Sequence, residues 1–238
     1  MTDQTPRSRT RNEVAEPATG LLALVGGGEW RAGADFDGEL LERSGCDEVL
    51  ILPTAAAYEH PERAVANAES WFSALGARVR GLMVLGHADA NDARHATVVS
   101  EARFIYLSGG SPLHLLSVLK GSLVFDALAK AWRHGATVAG SSAGAMVLAD
   151  PMVDPRGGAF MVGLGLVEEL AVLPHHDSGT SHHFWRTLEL AQPGLPIAGI
   201  PERTALIRDR DGSWRSAGEG EVTVYLDGVK TGLAVLPR

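Results

Sequence analysis

Ala136–Ala149 reads ATVAGSSAGAMVLA, and this stretch decides the fold class. Its first half is a short apolar run containing the β-branched pair Thr137 and Val138; its second half is a run of helix formers. Between them stands Gly140-Ser141-Ser142-Ala143-Gly144, a Gly-x-Ser-x-Gly turn. A strand that passes this sharply into a helix needs small residues on both sides of the bend, because the two backbone segments must approach closely. Such a turn pushes the Ser142 hydroxyl out at the sheet edge. It also places the Ala143 N–H at the start of a helix, where free donors and the helix dipole favour a developing oxyanion.

The same alternation continues outward. Short apolar runs are predicted as strands at Leu21–Val25, Glu48–Pro53, Ala77–Leu85, Phe104–Leu107 and Thr137–Gly140. Amphipathic segments between and after them are predicted as helices at Pro61–Leu75, Ala90–Ser100, Pro112–Leu119 and Leu123–His134. This pattern predicts an α/β fold with a mainly parallel sheet flanked by helices. Further along, Leu170–Leu173 reads as a strand and His182–Ala191 as a helix. Thr204–Arg208, Val222–Leu226 and Leu233–Leu236 are separated by Asp211-Gly212 and Asp227-Gly228, dipeptides that favour hairpins, so the C-terminal strands are predicted to be antiparallel.

The 238 residues stand against roughly 150 per domain. No linker divides residues 19–238, which are predicted to form one catalytic domain. Met1–Ala18 is polar, with scattered charge and two prolines, and is predicted to be a flexible tail. A net charge of −8 argues against nucleic-acid binding, which needs a basic surface, and against a polybasic membrane anchor. One cysteine excludes an internal disulfide framework and a Cys-rich zinc site. The N-terminal stretch has no apolar core, and no run approaches the roughly 18 consecutive apolar residues of a membrane span, so a cytoplasmic protein is expected.

A serine hydroxyl is a weak nucleophile at neutral pH and needs a base beside it. His175, His176, His182 and His183 cluster after the Leu170–Leu173 strand, on the rim where Ser142 would lie if both strands were parallel. The same cluster with Asp177 contains enough nitrogen and oxygen donors for zinc, although its spacing matches no mechanistic motif. The second oxyanion donor is expected from the Gly109-Gly110 turn that ends the preceding strand. An acid must orient the imidazole. Asp150 and Asp154 follow the elbow helix, and each is equally suited to forming a turn before Pro151 or Pro155.

In order, the chain shows LVGGG (24–28), SGGSPLHLL (108–116), GSSAGAM (140–146), GLGL (163–166), PHHD (174–177) and GIPERTAL (199–206). This combination resembles the serine peptidase family that contains dipeptidase E and cyanophycinase, over about residues 20–210. The resemblance implies a class I glutamine-amidotransferase-like, flavodoxin-like α/β fold and cleavage of small peptides next to aspartyl residues. Carried onto this chain, it implies Ser142 as nucleophile, His175 as base in preference to His176, and Gly110 and Ala143 as the oxyanion hole. It places the acid between serine and histidine, where Asp154 suits the spacing better than Asp150, with Glu202 as the next residue to test. Two positions depart from the family: Ser111 stands where Asn or Gln follows Gly-Gly, and His176 where many members carry an aromatic residue. Arg156, Arg186 and Arg203 are candidates for recognising an acidic side chain. No metal or organic cofactor is expected, the partner is a small peptide, and a homodimer is left open. The alternative is an amidotransferase-like ligand-binding module that keeps the elbow only for packing.

Overall fold

The computed structural model describes residues 19–177 and 182–238; the tail expected over Met1–Ala18 lies outside them. Five parallel strands form the centre of the main sheet: β1 (Leu22–Val25), β2 (Glu48–Leu52), β3 (Arg78–Gly81), β4 (Phe104–Leu107) and β5 (Thr137–Ser141). Helices α1 (Phe36–Ser44), α2 (Pro61–Ala74), α3 (Ala93–Glu101), α4 (Pro112–Leu119), α5 (Leu123–Arg133) and α6 (Ala143–Leu148) alternate with them. After α6 come β6 (Ala171–Pro174), α7 (His182–Leu190), β7 (Ile197–Ile200), β8 (Thr204–Arg208), β9 (Trp214–Gly218), β10 (Thr223–Leu226) and β11 (Val229–Thr231).

The seven-stranded sheet runs β9-β8-β1-β5-β4-β2-β3, and β8 and β9 are its antiparallel members. Its inner strands β8, β1, β5, β4 and β2 are largely buried, which is why they read as continuous apolar runs rather than alternations, whereas the edge strands β3 and β9 are more exposed. Leu22, Leu24, Ile105, Leu107 and Val138 face one buried cluster, and Ala23, Val25, Phe104, Tyr106 and Ala139 face the other. Helix starts follow the local chemistry: Asp92, Ser111 and Ser122 cap α3, α4 and α5, and Pro61 and Pro112 sit in first turns.

The predicted parallel strand before the histidine cluster forms, but not in the main sheet. It is β6, in a second sheet of order β6-β7-β10-β11. Both Asp-Gly dipeptides turn hairpins, β8–β9 and β10–β11, with Asp227 and Gly228 both at positive φ (50° and 76°). Three expectations need correction. The strand predicted over Ala77–Leu85 is confined to Arg78–Gly81, and only the Leu82 N–H beyond it still donates to Ile51 C=O in β2 (2.9 Å). Leu233–Val235 is a short 3-10 turn rather than a strand, and the hairpin partner of β10 is Val229–Thr231 instead. Strand β9, WRSAG, was not predicted because it lacks an alternating apolar pattern; its register against β8 creates it. No single helix among the described residues is long and apolar enough to cross a membrane.

Candidate active site

Ser142 stands between β5 and α6, at the carboxyl edge of the sheet, where such folds bind ligands. Its backbone sits at φ 49°, ψ −104°, outside the regions that L-residues favour. The conformation is held by the Ser142 N–H donating to Val25 C=O (2.9 Å) and the Met146 N–H donating to Ser142 C=O (3.0 Å). The glycines of the turn are sterically required. A Cβ on Gly140 would lie 2.6 Å from the Gly144 carbonyl carbon, and one on Gly144 would lie 2.7 Å from Leu107 O.

The two sheets meet at the Gly26-Gly27 turn that follows β1. The His175 N–H donates to Gly26 C=O (2.8 Å), and the Arg203 N–H to Gly27 C=O (2.7 Å). These bonds bring the ends of β6 and β7 over the end of β1. His175 Nε2 is then 2.8 Å from Ser142 Oγ, and His175 Nδ1 is 3.0 Å from Glu202 Oε1. Gly27, at φ 122°, leaves room for the imidazole: a Cβ there would be 2.3 Å from His175 Cε1.

Asp154, expected as the acid, is hydrogen-bonded to Arg156. Its carboxylate accepts from the Arg156 N–H (2.9 Å), Arg156 Nε (2.9 Å) and Arg156 Nη2 (2.7 Å), and the hydrogen bonds from the Arg156 side chain hold its pKa down at about 2. Asp150 is likewise committed to a loop, accepting from the Gly163 N–H (2.7 Å). Asp154 has the turn role that its neighbouring proline suggested, Asp150 ties its segment to Gly163 thirteen residues on, and Glu202 lies beside His175. The strand register explains how Glu202 comes beside His175. In the parallel pair β6–β7, Pro174 is aligned with Ile200, so residues just beyond the two strand ends lie side by side.

His176 points to other partners. Its ring lies against Phe184 and Tyr225, and its Nε2 is 3.1 Å from the Tyr225 hydroxyl. Burial lowers its pKa below the usual 6.5; Lys230 adds to this and Asp177 opposes it. The unfolded chain therefore binds this proton more readily than the folded one. Stability from this site is present above about pH 6.5 and is lost as pH falls from there through the lower folded value. His176→Phe keeps a ring in place and is expected to lose less Tm than wild type between about pH 7.5 and pH 5, where a histidine titrates. Equal losses in thermal melts would show that His176 does not contribute.

Ser142, His175 and Glu202 open onto a cavity of about 740 Å³. Trp30 and Arg31 form one wall; Arg63, Asn67 and Trp71 of α2 form the other. Arg31 and Arg63 were not singled out by sequence, since each lies in an ordinary polar segment. They take no part in an ion pair among the described residues, whereas Arg156 pairs with Asp154 and Arg203 with Glu219. Arg186 does not line this cavity. Gly110, at φ 138°, lines the cavity beside Ser142, and a Cβ there would be 2.3 Å from Ala55 O. Ala143 is fully buried at the first turn of α6. Glu29 adds a carboxylate that accepts from the Gly109 N–H (3.0 Å) and the Ser141 hydroxyl (2.7 Å). Among the described residues, no group of three or more His, Cys, Asp or Glu side chains could hold a metal ion; the His182 side chain lies outside the described residues.

An α/β sheet bearing a serine at a strand-to-helix bend, with a histidine at hydrogen-bond distance, is the architecture of a serine-type hydrolase. Residues 22–214 match the profile of peptidase family S51, and the chain belongs to that family. It is 27% identical over 219 residues to a cyanophycinase of Synechococcus elongatus, covering 86% of this chain and 67% of that one. It is 31% identical over 130 residues to a cyanophycinase of Trichormus variabilis, covering 50% and 44%. Among solved structures, it matches a peptidase from an acI-B1 actinobacterium with a TM-score of 0.80 at 28% identity, over 91% of this chain and 94% of that one. A putative peptidase E of Listeria monocytogenes shares the fold, with a TM-score of 0.61 at 20% identity over 88% and 99%. Membership makes the protein a serine-type peptidase and favours that reading over a binding module.

Proposed function

We propose that the protein hydrolyses small peptides through an acyl-enzyme on Ser142, with His175 as general base and Glu202 completing a catalytic triad. The hydrogen-bonded chain Ser142–His175–Glu202, at 2.8 Å and 3.0 Å, carries this reading. Glu202 accepts a hydrogen bond from Nδ1–H, which leaves the Nε2 lone pair facing the Ser142 hydroxyl. Nε2 takes that proton as Oγ attacks the scissile carbonyl. The carbonyl oxygen becomes an oxyanion held by the Gly110 and Ala143 N–H groups. Collapse breaks the C–N bond, and the proton on Nε2 goes to the departing amine. Water then enters by the same base and releases the acyl group.

Specificity next to an acidic residue is supported by Arg31 and Arg63, which line the cavity alongside Glu29, Glu59 and Glu202 and form no ion pair among the described residues, and by the cyanophycinase relatives. A fluorophosphonate probe is expected to label the wild type and not Ser142→Ala, and a panel of Asp-Xaa and Xaa-Asp dipeptides is expected to be cleaved in preference to neutral ones. Equal labelling of the two proteins would refute Ser142 as nucleophile. Indifference to charge in the panel would remove the acidic preference alone.

A further inference from the structure

We propose that Glu29 is the positioning residue that builds the oxyanion hole; this rests on the Ser142 reading above. The sheet order β1-β5-β4 places three strand ends side by side, and each contributes one loop to the site. Glu29, on the loop after β1, bridges the other two. Its Oε1 accepts from the Gly109 N–H just beyond β4, and its Oε2 accepts from the hydroxyl of Ser141, the last residue of β5. Those two anchors flank the two donors: Gly109 precedes Gly110, and Ser141 is two residues before Ala143.

The bridge also decides which N–H remains for the substrate. In the turn after β4, the Gly109 N–H is taken by Glu29 and the Ser111 N–H by Ala55 C=O (2.8 Å). The Gly109 C=O accepts from the Ser108 hydroxyl (3.3 Å), and across a trans peptide the Gly110 N–H points the opposite way. Among the described residues no acceptor takes the Gly110 N–H. Glu29 is also close to the nucleophile: a Cβ built on Gly109 would lie 3.1 Å from Glu29 Oε1 and 3.6 Å from Ser142 Cβ. Ser141 is fully buried, so its hydroxyl depends on this one acceptor. Without the carboxylate, the Gly109-Gly110 turn and the elbow would lose their side-chain bridge and be tied only through the β4–β5 pairing that ends at Leu107 and Gly140. Donors displaced by about 1 Å lose much of their effect on a transition state.

The test compares Glu29→Ala, Glu29→Gln and Ser141→Ala in the full chain, with Ser142→Ala as reference. The glutamine amide can accept from the Gly109 N–H through its oxygen and donate to Ser141 Oγ through its nitrogen, so it keeps the tether while reversing the direction of the Ser141 bond. Glu29→Ala is expected to lower kcat about 10²-fold, the scale seen when one oxyanion donor is lost, with KM changed less than about 3-fold. A peptide boronate, which mimics the tetrahedral state, should weaken by a similar factor, while a product-like peptide acid should bind unchanged. Glu29→Gln should restore most of kcat, and Ser141→Ala should add little to Glu29→Ala, because both cut one bridge. The proposal is overturned if Glu29→Ala keeps kcat and boronate affinity within about 3-fold of wild type. It is also overturned if glutamine fails as badly as alanine with the loss in KM, which would make Glu29 a binder of a cationic substrate group. Should Glu29→Ala not fold, Glu29→Gln and Ser141→Ala decide on the same readouts. Activity surviving in Ser142→Ala would refute the Ser142 reading itself, and this proposal with it.

Discussion

Glu202→Gln is expected to lower kcat about 10³–10⁴-fold while leaving the fold intact. A glutamine can present its amide N–H to His175 Nδ1, which moves the imidazole proton to Nε2, the nitrogen that must accept from Ser142 Oγ. The neutral amide also fails to stabilise the imidazolium that forms during attack. In a well-studied triad the equivalent change costs about 10⁴ in kcat, a little over 5 kcal/mol of activation free energy. The lower bound is allowed because the Glu202 side chain is 42% exposed, so water can replace part of its charge. Asp154→Asn is the paired control, expected to stay within about 2-fold, since its partner is Arg156 and its loss is that of an exposed ion pair. Steady-state kinetics and circular dichroism on both variants check this. Full activity in Glu202→Gln, with loss in Asp154→Asn, would return the acid to Asp154.

Ser142→Gly is expected to abolish hydrolysis and yet raise thermal stability. Loss of a nucleophilic serine in a triad costs about 10⁶ in kcat. The same residue sits at φ 49°, ψ −104°, and a non-glycine residue in such a region stores about 1–3 kcal/mol. Glycine relieves this strain but brings back about 0.5–1 kcal/mol of unfolded-chain entropy. The net gain of about 1 kcal/mol corresponds to a Tm higher by about 2–4 °C for a chain of this size. Calorimetry of Ser142→Gly beside Ser142→Ala separates the backbone effect from loss of the hydroxyl, because alanine keeps the strain. A lower Tm for the glycine variant than for the alanine variant would contradict stored strain at the elbow.

What the sequence by itself determined is the part whose physics is local. The run from Thr137 to Leu148 carries its own strand, glycine-flanked bend and helix, so the position of Ser142 could be read within a dozen residues. Four of the five parallel strands, β1, β2, β4 and β5, were legible for the same reason: burial on both faces leaves a nearly uninterrupted apolar run. The Asp-Gly hairpins were legible because only a few residue types accept their backbone angles. The family resemblance carried by several motifs in order pointed to His175, which no single motif separates from His176.

Only the tertiary structure decided the rest. Glu202 reaches His175 across 27 residues of chain, through a second sheet whose register aligns Pro174 with Ile200. The family resemblance favoured Asp154, but its carboxylate is satisfied locally by the arginine two residues away. The cavity arginines, Arg31 and Arg63, come from two segments that meet only when α2 packs beside the loop after β1. Glu29 follows a glycine run and reads there as one more solvated acid. Its partners, Gly109 and Ser141, lie 80 and 112 residues away and are brought to it by the order of strands in the sheet. Backbone conformation and burial are written in neighbouring residues, whereas a side-chain partner is chosen by which strand ends the folded sheet sets side by side.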